Sequence, residues 1–182
     1  DKVVILQDGN YIAEPKWTIN QADYHFHNWY GFGQVNVDKA VAMASDDYKL
    51  LPEFKEGEWV DSATLSLTIP DHSAKGASAT LNVSDELIIE AVVIKVSIEG
   101  VDMGDIGIEL QSPQGTRSVL FNIHNGFKLS DRAIDQMRLL SNAFYGESAS
   151  GQWTLKVVDA MPTDQGKLTK WSIKIDGHVP SE

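Results

Sequence analysis

The chain of 182 residues has a formal net charge of −11, from 15 Lys and Arg against 26 Asp and Glu. A negative surface repels phosphate backbones, so we do not expect nucleic acid as a partner. The content of 42% hydrophobic and 23% charged residues is typical of a globular protein, no apolar run is long enough to span a membrane, and the lack of Cys excludes disulfides and thiol catalysis.

The first 46 residues are rich in aromatic side chains and predict a single helix. Asn36 is a preferred N-cap residue, and the apolar residues after it have helical spacing: Val37, Ala40, Val41 and Ala44. One helix and a few aromatic rings cannot form a core alone, so this segment should pack on another domain or, in isolation, be partly disordered or pair with another copy. The candidate interface residues are Trp17, Trp29, Tyr30 and Phe32.

A linker is predicted at residues 47–59, which are charged, lack periodicity and contain Pro52 and Gly57. From residue 60 to 178, short stretches alternate apolar and polar residues and are separated by Gly, Pro and Asp. This pattern predicts an all-β domain, a sandwich or a jelly roll. We interpret residues 131–140 as a weak helix or a loop.

Two tryptophans and one serine-rich turn bear on function. Trp153 and Trp171 share the parity of their aliphatic neighbours, which favours burial over a sugar-binding platform. The stretch 146–151 comes nearest to a nucleophile elbow but has the wrong spacing. We therefore predict that this chain is not an enzyme by itself.

Four carboxylates lie in predicted loops. Asp102 and Asp105 flank Gly104, and Asp159 and Asp164 flank a predicted turn. Calcium takes six to eight oxygen ligands, so a calcium site is one interpretation. The other is that these groups are solvated or cap backbone N–H groups. No other cofactor is predicted.

Three parts of the chain resemble one known family. Residues 27–36, continuing into 40–44, are similar to the last turn and closing helix of the catalytic domain of kexin-like subtilisin proteases. Gly-Asp-Ile at 104–106 and Leu-Gln-Ser-Pro-Gln-Gly-Thr at 110–116 resemble the signature of the P domain, also called Homo B. Residues 145–172 are similar to its closing strands. Two departures are Glu99, where the family often has His, and Ile106, where Leu is usual.

The resemblance implies a jelly-roll β-barrel or sandwich of about eight strands, preceded by a short catalytic-domain remnant with one helix. The serine, histidine and aspartate of catalysis would precede Asp1, so the chain is expected to be a piece of a longer protein. It implies a proprotein convertase-type serine endopeptidase, secreted or in the periplasm, whose catalytic domain is the partner that this P domain stabilises and regulates.

Two other functions remain open from the sequence. One is a carbohydrate- or protein-binding jelly-roll adhesion module, which exposed coplanar tryptophans would favour. The other is a self-sufficient hydrolase that uses scattered Ser, His and Asp residues, although no nucleophile turn supports it.

Overall fold

The computed structural model describes residues 1–46, 52–124 and 133–180. Apart from one helix, the secondary structure of these ranges is β-strand. In chain order the elements are β1 (Lys2–Leu6), β2 (Gly9–Glu14), β3 (Thr18–Ile19), β4 (His25–Phe26), α1 (Val37–Asp46), β5 (Phe54–Lys55), β6 (Val60–Asp61), β7 (Leu67–Thr68), β8 (Ala77–Val83), β9 (Ile88–Glu99), β10 (Ile106–Gln111), β11 (Arg117–Phe121), β12 (Ala133–Ser141), β13 (Gly151–Asp159) and β14 (Lys167–His178).

Two antiparallel sheets form the body of the molecule. One has the strand order β11-β10-β13-β8, and the other has the order β12-β9-β14-β5, with β6 and β7 also paired to β14. Over the described residues neither sheet closes on itself, so the architecture is a sandwich and not a closed barrel. The prediction of an all-β fold is confirmed.

The core lies between the two sheets because alternate side chains of each strand point inward. Trp153, Trp171 and Phe144 are all fully buried there. The rings of Phe144 and Trp153 meet edge to face at 5.0 Å between centroids, and the Trp153 indole N–H donates to the Ala149 carbonyl at 2.9 Å. The predicted burial of both tryptophans is confirmed, so neither can act as a sugar platform.

Strand β12 corrects one sequence prediction. Residues 131–140 were interpreted as a weak helix or a loop, but the described part, from Ala133, pairs with β9. An irregularity between Ile134 and Met137 shifts the register, and Gln136 there has a φ of 53°. The bulge interrupts the two-residue period, which is why the sequence did not read as a strand.

Strand β14 is paired along both edges. It lies beside β9 over its whole length, and β5, β6 and β7 share its other edge. Gly57 permits this close approach, because a Cβ there would lie 2.0 Å from the Ile175 carbonyl oxygen. Part of the predicted linker 47–59 is therefore strand; residues 47–51 lie outside the described ranges, and the domain boundaries stay a prediction.

The N-terminal hairpin of β1 and β2 packs on the sandwich. Tyr11, only 2% exposed, forms a second small core in which the hairpin meets the sandwich. The other buried members are Leu6, Ala13, Ile123, Val158 and Ala160. At the hairpin turn the Asp8 carboxylate accepts hydrogen bonds from the Ser73 hydroxyl and the Ala74 N–H, both at 2.6 Å. The hairpin thus has a packing partner within the chain, which the sequence did not indicate.

Candidate functional site: the junction between residues 17–33 and the sandwich

Asn20 joins residues 17–33 to the sandwich through hydrogen bonds. Its side chain is 2% exposed and donates to the carbonyls of Ala143 and Tyr145, at 3.0 and 2.8 Å. Its Oδ1 accepts from the backbone N–H groups of Ala22 and Tyr24 at 3.0 and 2.9 Å. One amide therefore fixes a local turn and binds that turn to the loop before β13.

Glu147 is the counterpart of Asn20 on the sandwich. It is 3% exposed, and its Oε1 accepts from the Gln21 N–H at 2.9 Å and from the Thr116 hydroxyl. The preceding Gly146 has a φ of 81°, and a Cβ there would lie 2.8 Å from the Tyr24 ring. Only glycine allows the backbone to approach Tyr24 this closely in that conformation.

Aromatic side chains fill the space around these hydrogen bonds. Tyr145 of the sandwich meets Tyr24 edge to face, with ring centroids 5.0 Å apart, and meets Phe32 at 5.7 Å. Phe32 also contacts Phe26 at 5.5 Å. Such tilted contacts are the favoured geometry for aromatic pairs. Residues 17–33 therefore share an apolar contact with the sandwich as well as a polar one.

The four predicted interface residues lie at the surface of this junction. Trp17 stacks on Tyr30 at 6.2 Å, while Phe32 belongs to the cluster around Tyr145. Trp29 lines an open cavity of about 420 Å³ beside β11 and the end of β12. All four are exposed, between 46% for Trp17 and 69% for Trp29. The structure brings them into one region but leaves their outer faces uncovered.

Helix α1 follows residues 17–33 in the chain. The Asn36 Oδ1 accepts from the Lys39 N–H at 2.9 Å, which confirms the predicted N-cap. Every side chain described in α1 is exposed, including Val37, Val41 and Met43 at 66%, 59% and 68%. No helix in the described ranges has the length and apolar character that a membrane crossing requires.

Of the four predicted calcium-binding carboxylates, Asp102, Asp105 and Asp164 lie on loops of the sandwich and Asp159 ends β13. Burial, followed by the charges of Asp164, Asp71 and Asp105, raises the pKa of Asp159 to about 7. Burial and the charges of Asp102 and Asp164 raise the pKa of Asp105. Among the residues that the structure describes, no three His, Asp or Glu side chains are arranged as a ready-made metal site.

Sequence reasoning did not single out Asn20, Glu147 or Tyr145 as functional. Tyr145 and Glu147 belong to a stretch that resembles the P domain, but their contact with residues 17–33 spans more than 120 positions. Asn20 lies in a stretch without strand or helix periodicity. The one sequence feature that could have indicated this contact was the density of aromatic residues between 17 and 32.

A family model matches the greater part of the sandwich. Residues 89–175 match the proprotein convertase P domain. The match begins in β9 and ends in β14, so it contains all of β10 to β13.

The chain is similar to an extracellular serine protease and to a proprotein convertase. The extracellular serine protease of Aeromonas sobria is 33% identical over 200 residues, which cover 89% of this chain and 32% of that protein. Human proprotein convertase subtilisin/kexin type 6 is 29% identical over 170 residues, covering 88% of this chain and 17% of the relative. The chain thus spans a third or less of the length of these relatives.

A solved structure matches residues 1–46 as well as the sandwich. The Aeromonas sobria serine protease, crystallised in complex with a chaperone, superposes with a TM-score of 0.87 at 29% identity. The match covers 98% of this chain and 36% of the protease chain. The arrangement of hairpin, junction and sandwich is therefore one that occurs inside a whole protease.

Proposed function

We propose that the chain is the non-catalytic part of a longer subtilisin/kexin-type serine endopeptidase, because residues 89–175 match the proprotein convertase P domain. The sandwich supports the catalytic domain of the same polypeptide and performs no peptide cleavage. In this proposal the catalytic groups belong to a part of the protease outside this chain, which spans only 32% and 17% of the two relatives. The extracellular location given in the name of the Aeromonas relative supports secretion of this protease.

The exposed apolar side chains of α1 are the observation that carries this proposal. A helix of ten residues is marginal in water unless its apolar side packs on something. In the described chain Val37, Val41 and Met43 are more than half exposed, and so are Trp29 and Tyr30 a few positions before them in the sequence. Several large apolar side chains exposed within one short segment are typical of an interface. The partner that fits is the catalytic domain, whose closing helix α1 resembles.

The junction gives this docking a mechanical role. Residues 17–33 are hydrogen-bonded to the sandwich through Asn20 and Glu147, and α1 follows them directly in the chain. A catalytic domain that packs on α1 and the outer aromatic rings would therefore be held by a rigid sandwich. The catalytic domain would be stabilised because this contact restricts its conformational freedom.

The experiment compares whole proteases that contain this chain. Truncation after residue 46 should lower the melting midpoint of the protease and its yield of active enzyme. Val41→Lys should lower the midpoint in the same direction, because a charge would be buried at the interface. In the isolated chain Val41→Lys should change the unfolding free energy by no more than about 0.5 kcal/mol, since Val41 is exposed there.

Ile5→Lys is the matched control. Ile5 is 79% exposed on the hairpin, outside the proposed interface, so this change should leave both the protease and the isolated chain unaffected. A truncated protease that folds and cleaves as well as the intact one would contradict the proposed function. So would a Val41→Lys protease with an unchanged midpoint.

A further inference from the structure

Strand β8 forms one outer edge of the four-stranded sheet. It pairs with β13 on one side, in unbroken register from Ala77 to Val83. On its other side, no backbone hydrogen bond joins it to another segment of the described ranges. Strand β6 lies near β8, but its own hydrogen bonds go to β14. A row of unpaired backbone N–H and C=O groups is a template for a further strand.

Two other outer strands are protected in ways that β8 is not. Strand β12 has a bulge and bears Asp135 and Arg138. At β11, the Asn28 side chain donates to the Val119 carbonyl at 3.0 Å. Strand β8 has the sequence Ala-Ser-Ala-Thr-Leu-Asn-Val, with no charged residue, no Pro and no irregularity in its pairing. Since bulges, charges and covering contacts are what prevent edge-to-edge pairing, β8 is the edge that is open to it.

The outward face of β8 is complementary to itself. Its side chains Ser78, Thr80 and Asn82 are polar, uncharged and exposed. In an antiparallel pair of two copies centred on Thr80, the two Thr80 side chains lie opposite each other. Ser78 of each copy then lies opposite Asn82 of the other. Such hydroxyl pairs stabilise neighbouring strands, and no two like charges are opposed.

The inward face of β8 is complementary in size. Ala77, Ala79 and Val83 are buried, and Leu81 packs against the core while it is partly exposed. In the same register, Ala77 lies opposite Val83 of the second copy and Ala79 lies opposite Leu81. Small side chains opposite large ones allow two packed layers to interdigitate. The added strand would also cover the exposed part of Leu81.

This register also brings opposite charges together beyond the ends of the strand. Lys75 lies five positions before Thr80, and Asp85 lies five positions after it. Lys75 of each copy therefore comes opposite Asp85 of the other, and the twofold symmetry gives two such pairs. Two chains with a net charge of −11 repel each other as wholes. The two Lys–Asp pairs give the contact a local attraction.

We propose that β8 is the surface through which two copies of this chain associate, by antiparallel pairing about a twofold axis at Thr80. The pairing joins their four-stranded sheets edge to edge. A twofold contact uses the same edge on both copies, so it closes at the dimer and does not extend into a fibre. Because each copy contributes one strand, the interface is small and the dimer is reversible.

The first test is sedimentation velocity of the 182-residue chain over a series of concentrations. We expect a monomer–dimer equilibrium. Thr80→Lys should weaken the dimer by about tenfold or more, because two like charges would lie directly opposite each other. Ala133→Lys is the matched control, since Ala133 is exposed on an outer strand of the other sheet, and it should leave the equilibrium unchanged.

The second test uses cross-linking to measure the register. The chain has no Cys, so an introduced Cys is unique. Thr80→Cys should form a disulfide-linked dimer under mild oxidation, because directly opposite Cα atoms in antiparallel strands are about 4.5–5.5 Å apart. Ser78→Cys should not, because the two Cys would be offset by four residues, about 13 Å along the strands.

A parent chain that stays monomeric at every concentration would overturn the proposal and leave an extended segment of a different protein as the occupant of this edge. Equal cross-linking of Thr80→Cys and Ser78→Cys would also overturn it, since that result indicates random collision. Neither result would affect the proposed role in a protease, which rests on α1 and the junction.

Discussion

Asn20 shows how one side chain joins two parts of the molecule. Both hydrogen-bonding atoms of its side chain are used, since Nδ2 donates twice to the loop at 143–145 and Oδ1 accepts twice from its own turn. A side chain that is both buried and fully satisfied stabilises a unique arrangement, because any displacement leaves several polar groups unpaired. The placement of residues 17–33 therefore depends on this residue more than on the exposed aromatic rings near it.

We expect Asn20→Ala to destabilise the chain by about 2–3 kcal/mol, because the carbonyls of Ala143 and Tyr145 would lose their donors in a buried site. Urea unfolding measures this change, and hydrogen exchange should show faster exchange at residues 20–24. Asn28→Ala is the matched control. Asn28 is exposed and makes one hydrogen bond, to the Val119 carbonyl, so its loss should cost about 0.5–1 kcal/mol. Equal effects of the two substitutions would contradict the role assigned to Asn20.

The sequence could not have predicted the role of Asn20. Its two acceptors lie 123 and 125 positions away, and an Asn in a polar stretch is usually a turn residue. Only the folded arrangement shows that its amide reaches across to the sandwich.

At the scale of elements, the N-terminal hairpin behaves as part of the sandwich. Tyr11 and Leu6 are buried against Val158 and Ile123, so the hairpin has its own small core. The Arg117 guanidinium also donates to the Ile12 carbonyl at 2.7 Å. The hairpin is thus held by apolar packing and by a charged hydrogen bond.

Tyr11→Ala should therefore destabilise the chain by about 3–5 kcal/mol, as expected for loss of a buried aromatic ring. Ile5→Ala, on the same hairpin but 79% exposed, should change the unfolding free energy by no more than about 0.5 kcal/mol. Chemical denaturation of both variants checks this contrast. If the hairpin did not share a core with the sandwich, Tyr11→Ala and Ile5→Ala would both change the unfolding free energy by small and similar amounts.

Most strands of the sandwich could be predicted because their inward faces have a regular two-residue period. In β13, Trp153, Leu155 and Val157 are all fully buried. The period fails in β12, where the register shifts between Ile134 and Met137. It is also absent from β5, whose two residues form a strand only because β14 offers an unpaired edge. Short or bulged strands are determined by their neighbours and not by their own sequence.

At the scale of the whole molecule, the described chain holds its N-terminal segment at two places, the hairpin core and the junction. Helix α1 lies after both and has all its described side chains exposed. A cut within α1 should therefore leave residues 1–42 bound to the sandwich without a covalent link.

The measurement uses a protease recognition sequence inserted between Ala42 and Met43. After cleavage, the two fragments should elute together on gel filtration in native buffer and separately in denaturant. The same insertion combined with Tyr11→Ala and Asn20→Ala should release the N-terminal fragment. Release from the otherwise unaltered chain would show that the hairpin core and the junction are too weak to hold residues 1–42.

The position of β14 has a consequence for how the chain is made. This strand occupies the interior of the larger sheet, with β9 on one edge and β5, β6 and β7 on the other, yet it extends to residue 178. During synthesis or export, the earlier strands emerge with their central neighbour still missing. Until it arrives, their apolar faces and free edges stay exposed to aggregation and proteolysis. The interval between the emergence of β9 and that of β14 is thus when a nascent chain is most vulnerable.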